Sequence, residues 1–559
     1  RLGGWALRHK FVTVAAAVSM FAASVTLLVL GLIGSQFFPE AARDQFLVDI
    51  HMPRGAPIAR TDAVARRVEE VIREHATIER KGETVRRFEN MATFVGEGAP
   101  RFYLSFEPDQ PRPGFAQILV NTTDGSLTED YVYDLQRAFA EGVPEARVIP
   151  HKLMLGPPVD APIGVRVLGD DIERLGSIAA RVKDVLQRTE GTWDVHDTWG
   201  RRGYRLEVDI DQSQARLAGV TNASVARTLN AFYTGHYLTD YREGDRRVPV
   251  YLRLPPEQRQ SLEQVDSVYV EGRHGKVPIG SIAELRPTWA VARIDRYRKR
   301  RNLEVRCRVQ RGLLANAVLN RAMPELDAID RSLPPGYRLD IGGEMEETVD
   351  SRRNMLRAMA ISLLLIVLTL VFKYNSLLKP LAIVAMLPLA AIGALLGLFV
   401  TGYSMGFMGM LGMLALIGVV LNDDIVLVEF VELAVAEKLD SGEGLVGEGE
   451  RSYSGLTREA FYDCVKLAGR LRLLPISLTT LTTVGGLLPL ALFGGPLWKQ
   501  LTVVIIGGLL VATVLTLLVL PAIYTAFVGY LGVHCVPEKK DTESPIAGVE
   551  PGRRPSEGL

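Results

Sequence analysis

The stretch from Met405 to Phe430, MGFMGMLGMLALIGVVLNDDIVLVEF, decides how the rest of the sequence is read. It is apolar over a membrane-spanning length, yet it carries Asn422, Asp423 and Asp424 in succession. An ionised carboxylate in hydrocarbon costs several kcal/mol, so acids within a span normally face protein or a water path and mark ion or proton transfer. Two in a row single this segment out.

Working outward, apolar runs occur at Leu356–Phe372 and Leu381–Val400 before it, at Leu473–Phe493 and Leu501–Val528 after it, and at Phe11–Ile33 near the start. At roughly 20 apolar residues per spanning helix, these make six spans, arranged as one, a large domain, then five. Lys and Arg gather before Phe11, around Lys373 and Lys379, between Lys438 and Arg472, and after Val528. The positive-inside rule makes those ends cytoplasmic and puts Ser35–Asp350 across the membrane, which in a bacterium is the periplasm. The expectation is a multi-pass protein of a bacterial inner membrane. The composition agrees: of 559 residues 48% are hydrophobic and 23% charged, a membrane part plus a large water-facing part. Basic and acidic residues both number 64, which gives no argument for a nucleic-acid partner. Cys307, Cys464 and Cys535 lie far apart and suggest neither a metal site nor a disulfide framework. The first residue is Arg, so the chain reads as a fragment or a processed product whose start lies upstream.

The large domain alternates strand and helix periods. Phe46, Val48, Ile50 and Met52 recur at period two, and Val64, Val68, Val71 and Ile72 form a helical stripe. Strands follow at Phe102–Phe106 and Phe115–Asn121, then a helix bearing Tyr131, Leu135 and Phe139 and a strand near Arg147–Ile149. A second unit repeats the plan with strands at Ile163–Leu168, Trp193–Thr198, Tyr204–Ile210, Leu303–Val309 and Tyr337–Ile341. Its helices carry Ile172–Val185 and Leu314–Ser332. The fold class is therefore a six-span α-helical membrane bundle plus an α+β domain of two duplicated βαβ, ferredoxin-like units with an inserted subdomain. The expected divisions are a first span in 1–34, the first unit in 35–158, and the second unit in 159–210 and 295–350 around an insertion at 211–294. Three spans follow in 351–430, a cytoplasmic loop and helix in 431–470, two spans in 471–530, and a disordered tail in 531–559.

Helical neighbours lie about 100° apart, so Asp423 and Asp424 cannot point the same way. A carboxyl in such a setting can load and unload a proton, with partners from adjacent spans. The fifth span offers Arg472 and the hydroxyls of Ser477, Thr479, Thr480, Thr482 and Thr483. The bland alternative is that these hydroxyls bond back to their own helix and that Arg472 anchors at the interface. Glu429 reads as an interfacial residue. Met405, Met408, Met410 and Met413 read as packing rather than soft-metal ligands, and the paired glycines Gly393, Gly397, Gly485, Gly486, Gly507 and Gly508 as close helix contacts. No phosphate-cradling loop or nucleophile and base set is present, which argues against an ATPase or another enzyme.

Taken with WALRHKFVTV, GPPVDAPIGVRVLGDD, YREGDRRVPVYLRLP, LPPGYRLDIGGE, KYNSLLKPLAIVAMLPLAAIGA and RLRLLPISLTTLTTVGGLLPLAL, the central span resembles the C-terminal half of a resistance-nodulation-division (RND) efflux permease of the hydrophobic and amphiphilic branch. The resemblance covers Trp5 to about Tyr530. It implies a proton antiporter without a cofactor or bound metal, driven by the proton-motive force, that exports drugs or other amphiphilic small molecules. It also implies assembly with the N-terminal half of the same permease, a homotrimer in the lipid bilayer, a periplasmic adaptor and an outer-membrane channel. The two βαβ units become porter subdomains and the insertion a docking subdomain. By motif, Asn422 takes the position of a proton-relay Lys or Asn, and Arg472 and Thr479 those of the relay Arg and Thr. Asp423 falls where Asn or Asp is common, and Asp424 stands where a small residue is usual. Met52 and Met154, near positions used by metal-exporting relatives, read as packing. Two other readings stay open: a membrane-anchored sensor or assembly protein that does not transport, and an inactive truncated half-transporter.

Overall fold

The computed structural model describes residues 2–531 apart from Arg54, Lys81, Arg201, residues 256–262, Ser267, His274, Ala292 and residues 447–451. The tail beyond Leu531, with Cys535, and part of the loop expected to be flexible at Ser441–Gly455 lie outside the described residues.

Among the described residues six helices are long and apolar enough to cross a membrane: Lys10–Val29, Glu344–Tyr374, Leu378–Thr401, Phe407–Asp440, Arg458–Phe493 and Gly495–Leu531, called here the first to sixth spans. The fourth and fifth outrun their apolar runs, so most of the segment expected as cytoplasmic loop and helix continues these two helices. Thr457 caps the fifth, its hydroxyl accepting from the Ala460 amide at 3.4 Å.

The sixth span is the packing axis. Its Gly507 meets Gly393 of the third span backbone to backbone: a Cβ on Gly393 would collide with the Gly507 carbonyl oxygen, and one on Gly507 would lie 2.6 Å from the Gly393 carbonyl oxygen. Gly508 is filled by Leu416 of the fourth span. These are close helix contacts as expected, because only glycine lets two helix backbones touch. A Cβ on Gly485 or Gly486 would meet nothing within 4 Å among the described residues. Around this seam Leu416, Val420, Val504, Ile505 and Leu509 form one apolar cluster, against which Met405 and Met413 pack. Leu421, Leu427, Val428, Val431, Leu515, Val519 and Tyr524 belong to another.

The chain separates into two compact units, one of Arg1–Met52, Pro57–Asp197 and Glu304–Leu559, the other of Pro53–Ala56 and Thr198–Leu303. In the first, the strand Gln45–His51 lies between Phe115–Thr122 and Arg147–Lys152, and Phe88–Val95 completes the sheet beside Phe115–Thr122. All these pairs are antiparallel, and the helices Ile58–Glu74 and Gly125–Gly142 bury the expected stripes, Val64, Val68, Val71 and Ile72 on one and Tyr131, Leu135 and Phe139 on the other. A second sheet has five strands: Thr192–Asp197 and the short Asp295–Tyr297 both pair with Arg300–Val309, which is followed by Ile163–Gly169 and Arg338–Gly343. With Asp295–Tyr297 set aside and the strands numbered along the chain within each sheet, both have the order 2-3-1-4.

The strand expected at Phe102–Phe106 is not formed. Those residues lie in turns, where Phe102, Tyr103 and Phe106 bunch with ring centroids 5.0–6.0 Å apart. Three aromatics on one side of a short segment favour a cluster over an alternating strand, and Phe88–Val95 takes the sheet position.

The second unit is wider than the 211–294 insertion read from sequence. Gly203–Ile210 pairs antiparallel with Ala283–Ala290 of the same unit and not with the second sheet. The helix Gln212–Ala218 ends on Gly219 at φ +68°, and the helix Asn222–Tyr233 starts from a capping box between Thr221 and Ser224. Val220, Val225, Val270, Ile279 and Ile282 form its small core. A ribbon of His236–Glu243 and Arg246–Leu252 is exposed along nearly all its length.

Candidate functional site

Asn422, Asp423 and Asp424 lie within one uninterrupted helix, and their 100° spacing sends them into three surroundings. Asn422 is exposed on the surface of this chain's bundle. Asp423 is half-buried, and its Oδ1 accepts from the Thr479 hydroxyl of the fifth span at 3.4 Å. Asp424 is fully buried within this chain's bundle, where its Oδ1 accepts from the Thr516 hydroxyl of the sixth span at 2.7 Å and its Oδ2 has no partner among the described residues. The fifth and sixth spans are themselves joined by the Thr480 and Thr513 hydroxyls, 2.5 Å apart.

The structure thus brings Asp423 and Thr479 together. Arg472 is elsewhere: its guanidinium lies 3.4 Å from the centre of the Phe430 ring, two helical turns from Asp423, and its Nε is buried without a hydrogen-bond partner among the described residues. Thr482 and Thr483 bond back to helix carbonyls, as the bland alternative has it. Thr479 does both, donating also to the Ile476 carbonyl. Glu429 pairs with Lys373 at 2.5 Å and both are partly exposed.

Sequence reasoning missed one buried group. Lys379 at the start of the third span lies 2.7 Å from Glu432 Oε1, and the Tyr524 hydroxyl of the sixth span donates to the same oxygen at 2.9 Å. Lys379 and Glu432 are 6% and 8% exposed. The available signal was a Lys and a Glu each flanked by apolar residues, which the count of positive charges at span ends absorbed.

The extramembrane sheets hold a second polar cluster. Asp49 sits between His151 at 2.9 Å and the Gln117 amide at 2.7 Å. Burial works to raise its pKa, but the charge and hydrogen bond of His151 outweigh it and hold the carboxyl well below its ordinary range. Burial, reinforced by Arg147, pushes His51 down to about 3. Arg147 reaches from the first sheet to Asp194 of the second at 3.0 Å, beside His196.

Six helices of spanning length, two adjacent acids in the fourth of them and two sheets between the first and second are the parts of a polytopic membrane protein. Similarity to known proteins narrows the class. The chain belongs to the AcrB/AcrD/AcrF family of RND permeases, whose sequence model matches residues 1–528. Among its relatives, the swarming motility protein SwrC of Bacillus subtilis is 25% identical over 531 residues, covering 93% of this chain and 46% of SwrC. The nickel and cobalt resistance protein CnrA of Cupriavidus metallidurans is 26% identical over 377 residues, 65% of this chain and 33% of CnrA. The toluene efflux pump membrane transporter TtgB of Pseudomonas putida is 28% identical over 342 residues, 60% of this chain and 30% of TtgB. The crystal structure of a heavy metal efflux pump superposes with a TM-score of 0.68 over 93% of this chain and 50% of that one, at 20% identity, a likeness of fold. The chain spans about half the length of the relatives it matches.

Proposed function

We propose that this chain is the C-terminal half of an RND efflux permease in a bacterial inner membrane, exporting drugs or other amphiphiles in exchange for protons. The observation that carries the reading is the polar patch on the bundle surface. Asn422, Asp423 and Thr479 lie deep within their spans, yet they face outward from this chain's six helices. Polar side chains at that depth rarely face lipid, so a further protein surface covers them. The neighbouring fifth span adds an exposed apolar row of Leu474, Leu478 and Leu481 for that cover to bury. The N-terminal half of the same permease is the partner that suits it, with Asn422 and Asp423 forming one wall of a shared proton relay.

In this reading Asp423 exchanges the proton, Thr479 holds its carboxyl, and Arg472 moves toward the relay from its place over Phe430 when the second wall is present. No cofactor takes part, and the proton-motive force drives the cycle. The two sheets of equal strand order are duplicated ferredoxin-like porter subdomains in the periplasm, and the unit around Thr198–Leu303 is the docking subdomain. Its exposed ribbon, bearing Tyr237, Tyr241, Val250 and Tyr251, supports a homotrimer, since a lone two-stranded ribbon is marginal in water. A periplasmic adaptor and an outer-membrane channel complete the route. The amphiphilic substrate class rests on the motifs of the central span, because metal, solvent and motility proteins all match at 25–28% identity.

The test is Asp423→Asn in the complete protein, expressed in a strain lacking its own pumps and scored for efflux of an amphiphilic dye and for resistance to cobalt and zinc. Loss of dye efflux with normal expression and assembly supports the reading. Unchanged efflux removes the role of Asp423, and cobalt or zinc export without dye efflux moves the substrate to metal cations.

A further inference from the structure

Asp424 has no part in the exposed relay. It points away from the surface that carries Asn422, into this chain's own bundle, where the Thr516 hydroxyl satisfies one carboxyl oxygen and none of the described residues satisfies the other. Among the described residues no cation stands within ion-pair distance of it. Two turns along the same helix, Glu432 is buried against Lys379 and Tyr524.

These two acids form a ladder. The fourth span contributes Asp424 and Glu432, the sixth contributes Thr516 and Tyr524, and both intervals are eight residues. At 1.5 Å per residue the rungs are about 12 Å apart. The fourth and sixth spans run in the same direction, as the two matched intervals show; in the orientation proposed above that direction is toward the cytoplasm, so Glu432 is the rung nearer that side. Pro521 sits between Thr516 and Tyr524. It has no amide hydrogen, so the helix leaves the Leu517 carbonyl without its usual donor on that stretch. Lys379 strengthens the case. A lysine at a span end normally extends its ammonium to water, whereas this one is turned into the bundle and 6% exposed.

We propose that Asp424 and Glu432 form a second proton route lying wholly within this chain, in which Asp424 holds a proton at mid-membrane and Glu432 receives it and releases it to the cytoplasm. This rests on the antiport reading and extends it. The proton leaves the Asp424 carboxyl, is carried by water across the interval, and is taken up by the Glu432 carboxylate, breaking one O–H bond and forming another. Leu427, Val428 and Val431 fill that interval, so the route is closed in this conformation and opens when water enters. Lys379 and Tyr524 hold the Glu432 carboxylate ready. The other ionisable groups nearby among the described residues are Asp423, the chain neighbour of Asp424, Tyr374, whose ring lies 5.8 Å from the Lys379 ammonium, and the Lys373–Glu429 pair one turn away. A purely structural ion pair is the competing account, and it predicts something different.

The experiment uses the complete protein in proteoliposomes with a lumenal pH dye, alongside thermal stability of the same preparations. Glu432→Gln is expected to slow proton transfer at least tenfold. Exchanging the charges, Lys379→Glu with Glu432→Lys, keeps an ion pair but removes the carboxylate from the sixth-span side, and is expected to stay as slow. Tyr524→Phe removes a single hydroxyl, is expected to slow transfer several-fold, and decides the matter should the charge variants not fold. Wild-type rates in Glu432→Gln or Tyr524→Phe, or recovery in the exchanged pair, overturn the route. Absence of proton transfer in the wild type removes the antiport reading and this one together, whereas transfer that is lost in Asp423→Asn and untouched in Glu432→Gln removes this one alone.

Discussion

Substituting Ala for Gly393 tests whether the third and sixth spans are locked by backbone contact. The new Cβ would overlap the Gly507 carbonyl oxygen and stand 2.7 Å from Val511 Cβ and 2.9 Å from the Gly507 carbonyl carbon. Two of these three atoms are backbone, so no side-chain rotation relieves the overlap and the helices must separate. Overpacking of this kind costs about 1–3 kcal/mol, and the rigid partners place it at about 3. Alanine returns about 1 kcal/mol through helix propensity, leaving a net loss of roughly 2 kcal/mol. At an unfolding entropy of roughly 2.1 cal/mol/K per residue, a chain of 559 residues loses only about 2 °C of melting temperature for that cost. The assay is thermal melting of the complete protein in detergent, followed by size exclusion. Gly485→Ala, whose Cβ meets nothing within 4 Å among the described residues, is the internal control for propensity alone. A Gly393→Ala protein that melts at or above the wild-type temperature refutes the locked seam. A fall in Gly485→Ala instead would mark that face as tightly covered in the complete protein.

Further expectations concern separate regions. The folded pKa of His51 is about 3, below its unfolded value, so the unfolded state takes up a proton first and stability falls as pH drops from 6.5 toward 3. Each pH unit in that window costs up to roughly tenfold in the folding equilibrium; His51→Gln should flatten the dependence in melts between pH 7 and 5, and an unchanged slope would show that other groups dominate. Arg87 is 2% exposed, bonded to Asp134 at 2.6 Å and to the His75 carbonyl at 3.0 Å, and lies over the Tyr131 ring. Arg87→Met should destabilise by about 2 kcal/mol, less than a fully buried pair would lose because Asp134 keeps 40% of its side-chain surface. Thr479→Val should reduce transport several-fold while Thr482→Val, which loses only bonds to its own helix, leaves it intact; equal effects would refute the Thr479–Asp423 contact. Burial pushes the Cys307 thiol up to about 12, so it should resist maleimide in native protein and label after denaturation, as mass spectrometry can check.

Much of this architecture was legible because the bilayer imposes a coarse rule. A spanning helix needs a long apolar run, and all six runs became helices. The divergence of Asn422, Asp423 and Asp424 followed from helical geometry, and Thr479, which contacts Asp423, was one of several fifth-span hydroxyls that could reach a carboxylate. What stayed hidden depends on side-chain direction or long-range pairing. Lys379 looks like any cytoplasmic anchor until the helix turns its ammonium inward onto Glu432. Arg472 has the composition of a relay residue, but its place over Phe430 depends on how two helices face each other. Gly203–Ile210 reads as a strand from its alternation, and nothing local in it selects Ala283–Ala290 as partner. The aromatics Phe102, Tyr103 and Phe106 mimic strand propensity while satisfying one another in a turn.

The Gly393–Gly507 seam also says where this half can bend. Two helix backbones in direct contact cannot slide past each other without first parting, so the third and sixth spans behave as one rigid post. The fifth span meets that post through hydroxyls, Thr480 on Thr513, and hydrogen bonds between hydroxyls exchange partners with little separation. A rocking motion during a transport cycle would therefore pivot the fifth span, with Thr479 aboard, against a stationary frame that keeps Asp424 in place.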